Sequence, residues 1–341
     1  MPSDRRVYAP EYSKVTKRPE FKKKIITCFG KLEFKKGHLL EKGTSKFRIT
    51  MHLQEMLSDL AQSNVFQEVS NTLKKILKLD ISAPQVQRIS EYYGDQLNPI
   101  IEANQEEFIP KLAEVNDPKI RTYNMIDGNM LCTREYMDEN NKQLWEEKWK
   151  EMKVGMQFRE DTILQISNSR KEIFNPVFVC HLGTAEDFFP KFERHLSRGD
   201  TKVFICDGAK WIWLWVEYNF PGSIQILDYY HAVEKLKLFA KNHFLKEDIK
   251  KRWLEEQEKL LKDNQVLVVI ENLKKLKPGN TMALTAKKVA LNYYIEHEDR
   301  MQYKTFRDQG LLIGSGPVEA AHRKVIQQRM KLSGQKWSIK G

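Results

Sequence analysis

The chain has 341 residues, enough for two or three domains, and its 41% hydrophobic content is ordinary for a globular protein. No apolar run approaches membrane-spanning length, and the amino terminus lacks the basic-then-apolar pattern of a signal peptide. We therefore expect a cytoplasmic, nucleoid-associated protein without a membrane partner. The cysteines form no C-x-x-C pair, so neither a disulfide framework nor a thiolate zinc site is supported.

The net charge of +11 is concentrated at the two ends of the chain. Residues 1–50 carry a balance of +9 and residues 301–341 a balance of +6, which leaves −4 for the 250 residues between them. Basic ends suggest contact with a polyanion, and double-stranded DNA is the first candidate. The alternative is a pair of solvated tails.

Residues 1–49 form a basic N-terminal arm. It carries three consecutive lysines, Lys22, Lys23 and Lys24, before a segment that predicts a small hairpin through Gly30. The lysines are candidate contacts to DNA phosphates, and the alternative is a poorly packed terminus.

Residues 50–115 predict an all-α region with apolar residues at helical spacing. Ser82, Pro84 and Gln85 form a capping box that opens a third helix, and Gly94 is expected to end it. Two helices joined by a tight link resemble a helix-turn-helix, although an ordinary helical hairpin packs in the same way. The candidate DNA contacts on this unit are Gln85, Gln87 and Arg88.

Residues 119–231 alternate in the manner of an α/β domain. Predicted strands cover 122–126, 153–158, 177–181, 202–206 and 223–227, with a helix over 185–196. Three of these strands are followed directly by an acidic residue, namely Asp127, Asp207 and Asp228. Open α/β sheets place functional groups at the carboxyl ends of their strands, so we expect a site there. A turn signal is the alternative reading of each Asp-Gly pair.

Residues 232–305 read as almost wholly helical, with a break at Pro278-Gly279. Residues 306–341 then contain Gly314-Ser315-Gly316 and Pro317, which predict a loop and a helix start. Glu319 falls in the first turn of that helix. His322 and Arg323 follow at i+3 and i+4 and are expected on the same face as Glu319. The alternative is an ordinary capped helix, in which Glu319 only interacts favourably with the positive end of the helix dipole.

Three acidic residues of the α/β part have similar predicted positions. Asp127 and Asp207 follow predicted strands, and Glu319 lies at the start of a predicted helix. Carboxylates that are brought together repel one another, which makes them good ligands for a hard divalent cation. Two Mg²⁺ or Mn²⁺ ions held in this way catalyse phosphodiester chemistry. The aromatic residues Trp211, Trp213 and Trp215 are expected to pack in the core.

Five segments carry a family resemblance. They are IDG at 126–128, EMKVG at 151–155, ICDGAKWIW at 205–213, ILDYYHAVEKL at 226–236 and GSGPVEAAHRKVIQQRMKLSGQKWS at 314–338. The chain from about residue 50 to 341 resembles bacterial insertion-sequence DDE transposases, in particular the Kra-type group, which is similar to the Mutator-like transposases. The last segment is the most specific of the five.

The resemblance implies an RNase H-like mixed sheet, interrupted by a helical insertion before the helix that supplies the glutamate. It makes Asp127, Asp207 and Glu319 the catalytic metal ligands, with Mg²⁺ or Mn²⁺ as two ions. Asp228 and His231 match an accessory Asp-x-x-His, and His322 and Arg323 are further accessory candidates. In the basic C-terminal stretch, the candidate DNA contacts are Arg329 and Lys331.

The implied activity is cleavage of element ends and strand transfer into target DNA, by a homodimer or a higher oligomer. The resemblance also implies a further helix beyond Gly341 and a cysteine-bearing element, which this sequence does not show. A truncated, inactive copy that only binds DNA is therefore the alternative. A host nuclease on the same fold, which would cleave without joining, is a third hypothesis.

Overall fold

The computed structural model describes residues 22–35, 47–103, 119–139, 142–167, 170–197 and 199–338. Contacts between Cα atoms divide the chain into two compact units, residues 1–105 with 328–341 and residues 106–327. Most of the predicted basic arm, residues 1–21 and 36–46, lies outside the described residues. The other predicted domain boundaries remain predictions.

The first unit contains a hairpin and a group of helices. Thr27 lies opposite Gly30 at the tip of the hairpin, as predicted. The elements are β1 (Lys22–Thr27), β2 (Gly30–Lys35), α1 (Met51–Ala61), α2 (Phe66–Leu77), α3 (Ala83–Ala103) and the two-residue strand β10 (Trp337–Ser338).

The three helices share one apolar core, because their apolar residues recur at helical spacing. The buried side chains of this core come from all three helices and from the segments that flank them: Ile49, Leu53, Leu57, Ala61, Val69, Leu73, Leu79, Ile81, Val86 and Ile89. The prediction that the third helix ends at Gly94 was wrong, since α3 continues to Ala103. An isolated glycine costs a helix only about 1 kcal/mol, which is too little to stop one by itself.

The second unit alternates strands and helices before becoming wholly helical. Its strands are β3 (Arg121–Glu139), β4 (Lys142–Arg159), β5 (Ile163–Ser167), β6 (Arg170–Ile173), β7 (Val177–Leu182), β8 (Thr201–Cys206) and β9 (Ile224–Leu227). Its helices are α4 (Ala185–Glu193), α5 (Lys210–Asn219), α6 (Tyr229–His243), α7 (Glu247–Lys262), α8 (Val266–Lys275), α9 (Thr281–Glu296), α10 (Tyr303–Asp308) and α11 (Gly316–Ala321).

Five of these strands form a mixed sheet in the order β7-β4-β3-β8-β9. The strand β4 is antiparallel to β3 and β7, whereas β3, β8 and β9 run parallel to one another. Parallel pairing needs crossover connections, and the helix α5 supplies the one between β8 and β9. The unit is therefore α/β, and its mixed sheet with many helices is compatible with an RNase H-like fold.

The prediction that the first strand ends at Asp127-Gly128 was wrong. Strand β3 runs on to Glu139, because β4 pairs with it along its whole length, with Asp127 opposite Val154. Asp127 is therefore held by strand pairing on one side and not by a turn. The hairpin of β5 and β6 was not predicted either.

Helices cover both faces of the sheet near these strands. On one face, Phe188 and Phe192 of α4 are fully buried and reach Gly155 of β4, where an added Cβ would lie 2.3 Å from the Phe192 ring. The helix α11 contacts β3 and β4 as well. Asp127 and Gly155 occupy strand positions of opposite parity, so their side-chain directions point to opposite faces.

Residues 229–308 form the helices α6 to α10, which confirms the predicted helical stretch. The break at Pro278-Gly279 separates α8 from α9, also as predicted. Across the described ranges, we find no helix with the length and apolar character needed to cross a lipid bilayer.

Candidate active site on three parallel strands

Asp127 and Asp207 lie at the same level of two neighbouring parallel strands. The last registered pair between β3 and β8 joins Asn124 to Phe204, and each aspartate is three positions further along its own strand. Aligned residues on parallel strands share a face of the sheet. The register therefore directs both carboxylates to one face.

Asp228 continues this row on the next strand. Cys206 pairs with Leu227, so Asp207 and Asp228 are the next residues on β8 and β9. The backbone N–H of Asp228 donates to the carbonyl of Cys206 over 2.9 Å, which extends the pairing by one step. Three neighbouring parallel strands thus each carry an aspartate at the same level, Asp127 within β3 and the other two directly after β8 and β9.

The buried thiol of Cys206 lies close enough to all three aspartates for their charges to affect its pKa. Burial raises its pKa, and the charges of Asp207, Asp127 and Asp228 raise it further. A neutral thiol beneath the row excludes water without adding charge. Cys206 is therefore part of the floor of the site.

Asp207 is a half-buried carboxylate whose negative charge is less well stabilised by hydrogen bonds than that of Asp228. Its Oδ1 accepts one hydrogen bond from the backbone N–H of Ala209 over 2.9 Å. Burial raises the pKa of Asp207 and the charge of Asp127 raises it further, against the opposing positive charges of His231 and Lys235. A carboxylate in this state gains from any added positive charge.

Asp228 is fully buried, and hydrogen bonds to both of its oxygens stabilise its negative charge. Its Oδ1 accepts from the N–H of His231 over 2.8 Å, and its Oδ2 accepts from the N–H of Ser315. Burial alone would raise the pKa of Asp228, but hydrogen bonds from His231 and Ser315 outweigh it and hold the pKa below the ordinary value. The N–H of Tyr229 also donates to the carbonyl of Ile313 over 2.9 Å. Asp228 therefore ties the start of α6 to the loop that precedes α11.

His231 carries a positive charge at neutral pH. Its Nδ1 lies 3.6 Å from Oδ1 of Asp228, which is longer than a hydrogen bond and makes the two groups an ion pair. Interaction with the Asp228 carboxylate raises the pKa of His231 to about 9, although burial acts in the opposite direction. The accessory Asp-x-x-His thus places an imidazolium beside Asp207.

Glu319 lies in the first turn of α11, as predicted, with Pro317 near the helix start. Its side chain is exposed. Within the described ranges, no three His, Cys, Asp or Glu side chains converge closely enough to hold a metal ion. The structure thus brings Asp127 and Asp207 together and leaves Glu319 on the adjoining helix.

His322, Arg323 and Glu319 have different environments, so they do not form one uniform surface. After Ala321 the chain continues as a π-helical turn, His322–Gln327. His322 is buried with its Nε2 3.2 Å from Oδ2 of Asp127, whereas Arg323 and Glu319 are exposed. Buried Val318 lies four residues before His322, so helical spacing itself places this imidazole on the inward side of the helix. The side chain of His322 thus reaches a predicted ligand.

The donor chemistry of Asp127 and Asp207 fits a hard divalent cation. Both provide carboxylate oxygens, and burial, with a smaller contribution from the charge of Asp127, raises the pKa of Asp207, so a cation there would be favourable. Asp228 fits this role less well, because its two oxygens already accept backbone hydrogen bonds.

Comparison with known proteins gives no family. No family model matches the chain, and no curated protein matches it. Among solved structures, it is similar to the Drosophila P element transposase strand transfer complex at 13% identity and a TM-score of 0.28. The alignment covers 79% of this chain and 63% of that chain.

Two residues of the helical stretch 229–308 reach the Asp207 turn and were not predicted. Tyr293 of α9 lies so close to Gly208 that a Cβ there would be 2.1 Å from its ring. Lys235 of α6 lies over that ring, with Nζ 5.1 Å from the centroid. Lys235 follows His231 by one helical turn, so helical spacing could have identified it. Tyr293 comes from a distant segment and gives no such signal.

The tryptophans after Asp207 belong mainly to the core. Trp213 and Trp215 are buried in α5, which confirms that they pack. The indole N–H of Trp213 donates to the carbonyl of Asp207 over 2.6 Å and so fixes the turn. Trp211 contacts Phe189 at a centroid distance of 5.4 Å.

The candidate DNA contacts lie in the first unit and remain predictions. On α3, Gln85 is half-buried, while Gln87 and Arg88 are exposed, and Gln87 donates to Glu91 over 2.7 Å. Lys24 is exposed and pairs with Glu33 over 2.9 Å. The side chains of Lys22 and Lys23 lie outside the described residues, and those of Arg329 and Lys331 are exposed.

Proposed function

We propose that this chain is a metal-dependent DNA transposase that cleaves element ends and joins them to target DNA. The observation that carries the proposal is the placement of Asp127 and Asp207 at one level of adjacent parallel strands, with the pKa of Asp207 raised by burial and by its neighbour. The sequence resemblance to DDE transposases, which includes both positions and Glu319, agrees with this placement.

Asp127, Asp207 and Glu319 would hold Mg²⁺ or Mn²⁺, as two ions. When bound, the ions would supply a polarised water or 3′-hydroxyl and charge stabilisation at the phosphodiester. Glu319 would have to turn inward from its exposed position on α11, and the Asp228–Ser315 hydrogen bond keeps the start of that helix near the row of aspartates.

The remaining residues of the site have positioning roles. His322, 3.2 Å from Asp127, orients that carboxylate. His231 and Lys235 provide positive charge beside Asp207, where a DNA phosphate would otherwise meet only carboxylates. Because two element ends must be joined together, we propose a homodimer or a higher oligomer on DNA.

Cleavage of supercoiled plasmid carrying the flanking genomic repeats, with Mg²⁺ or Mn²⁺, tests the proposal. We expect Asp207→Asn and Glu319→Gln to lower the cleavage rate at least about a thousandfold, since each removes a metal-binding carboxylate. Asp308→Asn is the matched control, because Asp308 is an exposed carboxylate on α10 whose partner is Lys304.

Unchanged cleavage in Asp207→Asn would contradict the proposal. Binding of the repeats without cleavage by the unmodified chain would instead favour the inactive, DNA-binding alternative. Cleavage without strand joining would favour the nuclease.

A further inference from the structure

The helical insertion contains a basic segment within the near-neutral middle of the chain. Residues 272–295 include five lysines and no aspartate or glutamate. The segment spans the end of α8, the break at Pro278-Gly279 and most of α9. A sequence segment whose charges are all positive needs a reason, because like charges repel one another.

Side-chain contacts join the helix ends of this segment. The Nζ of Lys287 donates to the carbonyls of Lys274 and Leu276 over 2.8 and 2.6 Å, which holds α9 against the end of α8. The side-chain amide of Asn280 donates to the carbonyl of Asn242 over 3.1 Å, which attaches the start of α9 to the end of α6. Three helix ends therefore meet here.

Four lysines at this junction are exposed, and together they define the lysine face: Lys241, Lys275, Lys277 and Lys288. None of the four lies within 4.0 Å of a carboxylate oxygen among the described ion pairs, whereas neighbouring Lys274 pairs with Glu271 over 2.9 Å. Their ammonium groups are therefore available to an outside anion.

Neutral hydrogen-bond donors continue the same surface along α9. Thr281, Thr285 and Lys288 recur at i, i+4 and i+7, which places them on one side of the helix, and all three are exposed. Lysine, threonine and helix N-termini are the groups that contact DNA phosphates without reading bases. This composition favours a nucleic-acid backbone over an acidic protein.

We propose that the lysine face binds the phosphate backbone of duplex DNA, away from the bond that the aspartates cut. The inference rests on the proposed function in taking DNA as the polyanion. It assigns the helical stretch a second role, because α6 and α9 contribute to the lysine face and also carry Lys235 and Tyr293, which lie near the Asp207 turn. Binding there would be independent of DNA sequence.

The test replaces Lys275, Lys277 and Lys288 together by Gln in the full chain. Duplex affinity is measured between 50 and 200 mM salt, on the flanking repeats and on unrelated DNA. We expect the slope of log affinity against log salt to fall by about one per lysine, equally on both duplexes. A matched triple, Lys251, Arg252 and Lys259 to Gln on α7, removes the same charge from exposed positions and should keep the original slope.

An unchanged slope in the lysine-face variant, or an equal loss in both triples, would overturn the inference. The inference would also be overturned if the lysine-face variant lost binding to vesicles of anionic phospholipid while its DNA slope stayed unchanged. That result would indicate a membrane partner. Asp207→Asn separates the two proposals, since it should lose cleavage and keep the slope. If Asp207→Asn still cleaves, the proposed function fails while the slope result stands.

Discussion

Asp207 and Asp228 follow two consecutive buried strands at the same level of one sheet, but their surroundings differ. Asp228 accepts backbone hydrogen bonds on both oxygens and faces an imidazolium, so the pKa of its carboxyl is held down. Asp207 accepts one backbone hydrogen bond, and burial with the nearby charge of Asp127 raises its pKa. The contrast agrees with the proposed roles, in which Asp228 maintains the structure and Asp207 holds a ligand.

Replacing each aspartate in turn should give opposite results. Asp228→Ala leaves two buried N–H groups and His231 without their acceptor, and we expect the free energy of unfolding to fall by about 2–4 kcal/mol. Asp207→Asn removes a disfavoured negative charge and should leave stability unchanged or raised. Urea denaturation of both variants measures the difference. A larger loss of stability in Asp207→Asn would invalidate the contrast.

The contact between Gly208 and Tyr293 tests whether the insertion packs on the Asp207 turn. Gly208→Ala places a Cβ 2.1 Å from the Tyr293 ring, and we expect a loss of about 1–3 kcal/mol. Gly222→Ala is the matched control, since nothing lies within 4 Å of its Cβ position. Thermal unfolding of both variants measures the cost. Adding Tyr293→Leu should relieve part of it; equal stability of the two glycine variants would show that the contact is absent.

The protonation of His231 also tests the contrast, and it has the smallest expected effect on stability. Its pKa is raised to about 9 in the folded chain, against about 6.5 when unfolded. Because the folded pKa is the higher one, the pair stabilises the fold fully below about pH 6.5 and loses this effect as pH rises through about 9. An NMR titration should give a midpoint near 9, moving towards 6.5 in Asp228→Asn. An ordinary midpoint in the unmodified chain would mean that the ion pair does not form.

The strands that carry the row of aspartates could be predicted, because buried apolar runs and the acidic residues after them are local signals. The extension of β3 past Asp127-Gly128 could not, since it depends on pairing with β4. Local sequence also suggested one face for Glu319, His322 and Arg323, but His322 lies on the buried side of the helix with Val318. Which side is buried depends on packing of the helix against β3 and β4, which local sequence does not reveal.

The contribution of the insertion to the site was the least predictable part. Its helices were evident from periodicity and from the break at Pro278-Gly279. Nothing near Gly208 in the sequence indicates that Tyr293 will cover it, because contacts between distant segments leave no local pattern. Lys235 is the exception, because it lies one helical turn after His231 and its place on the same helix face could have been predicted from that spacing.

The most direct test of the central claim is calorimetric titration of the full chain with Mn²⁺, comparing the unmodified chain with Asp207→Asn and Asp308→Asn. We expect binding in the unmodified chain and in Asp308→Asn, and a loss of at least about tenfold in affinity in Asp207→Asn, because the proposal makes Asp207 a ligand and leaves Asp308 outside the site. Equal affinity in all three chains would contradict the assignment of Asp207 to a metal site.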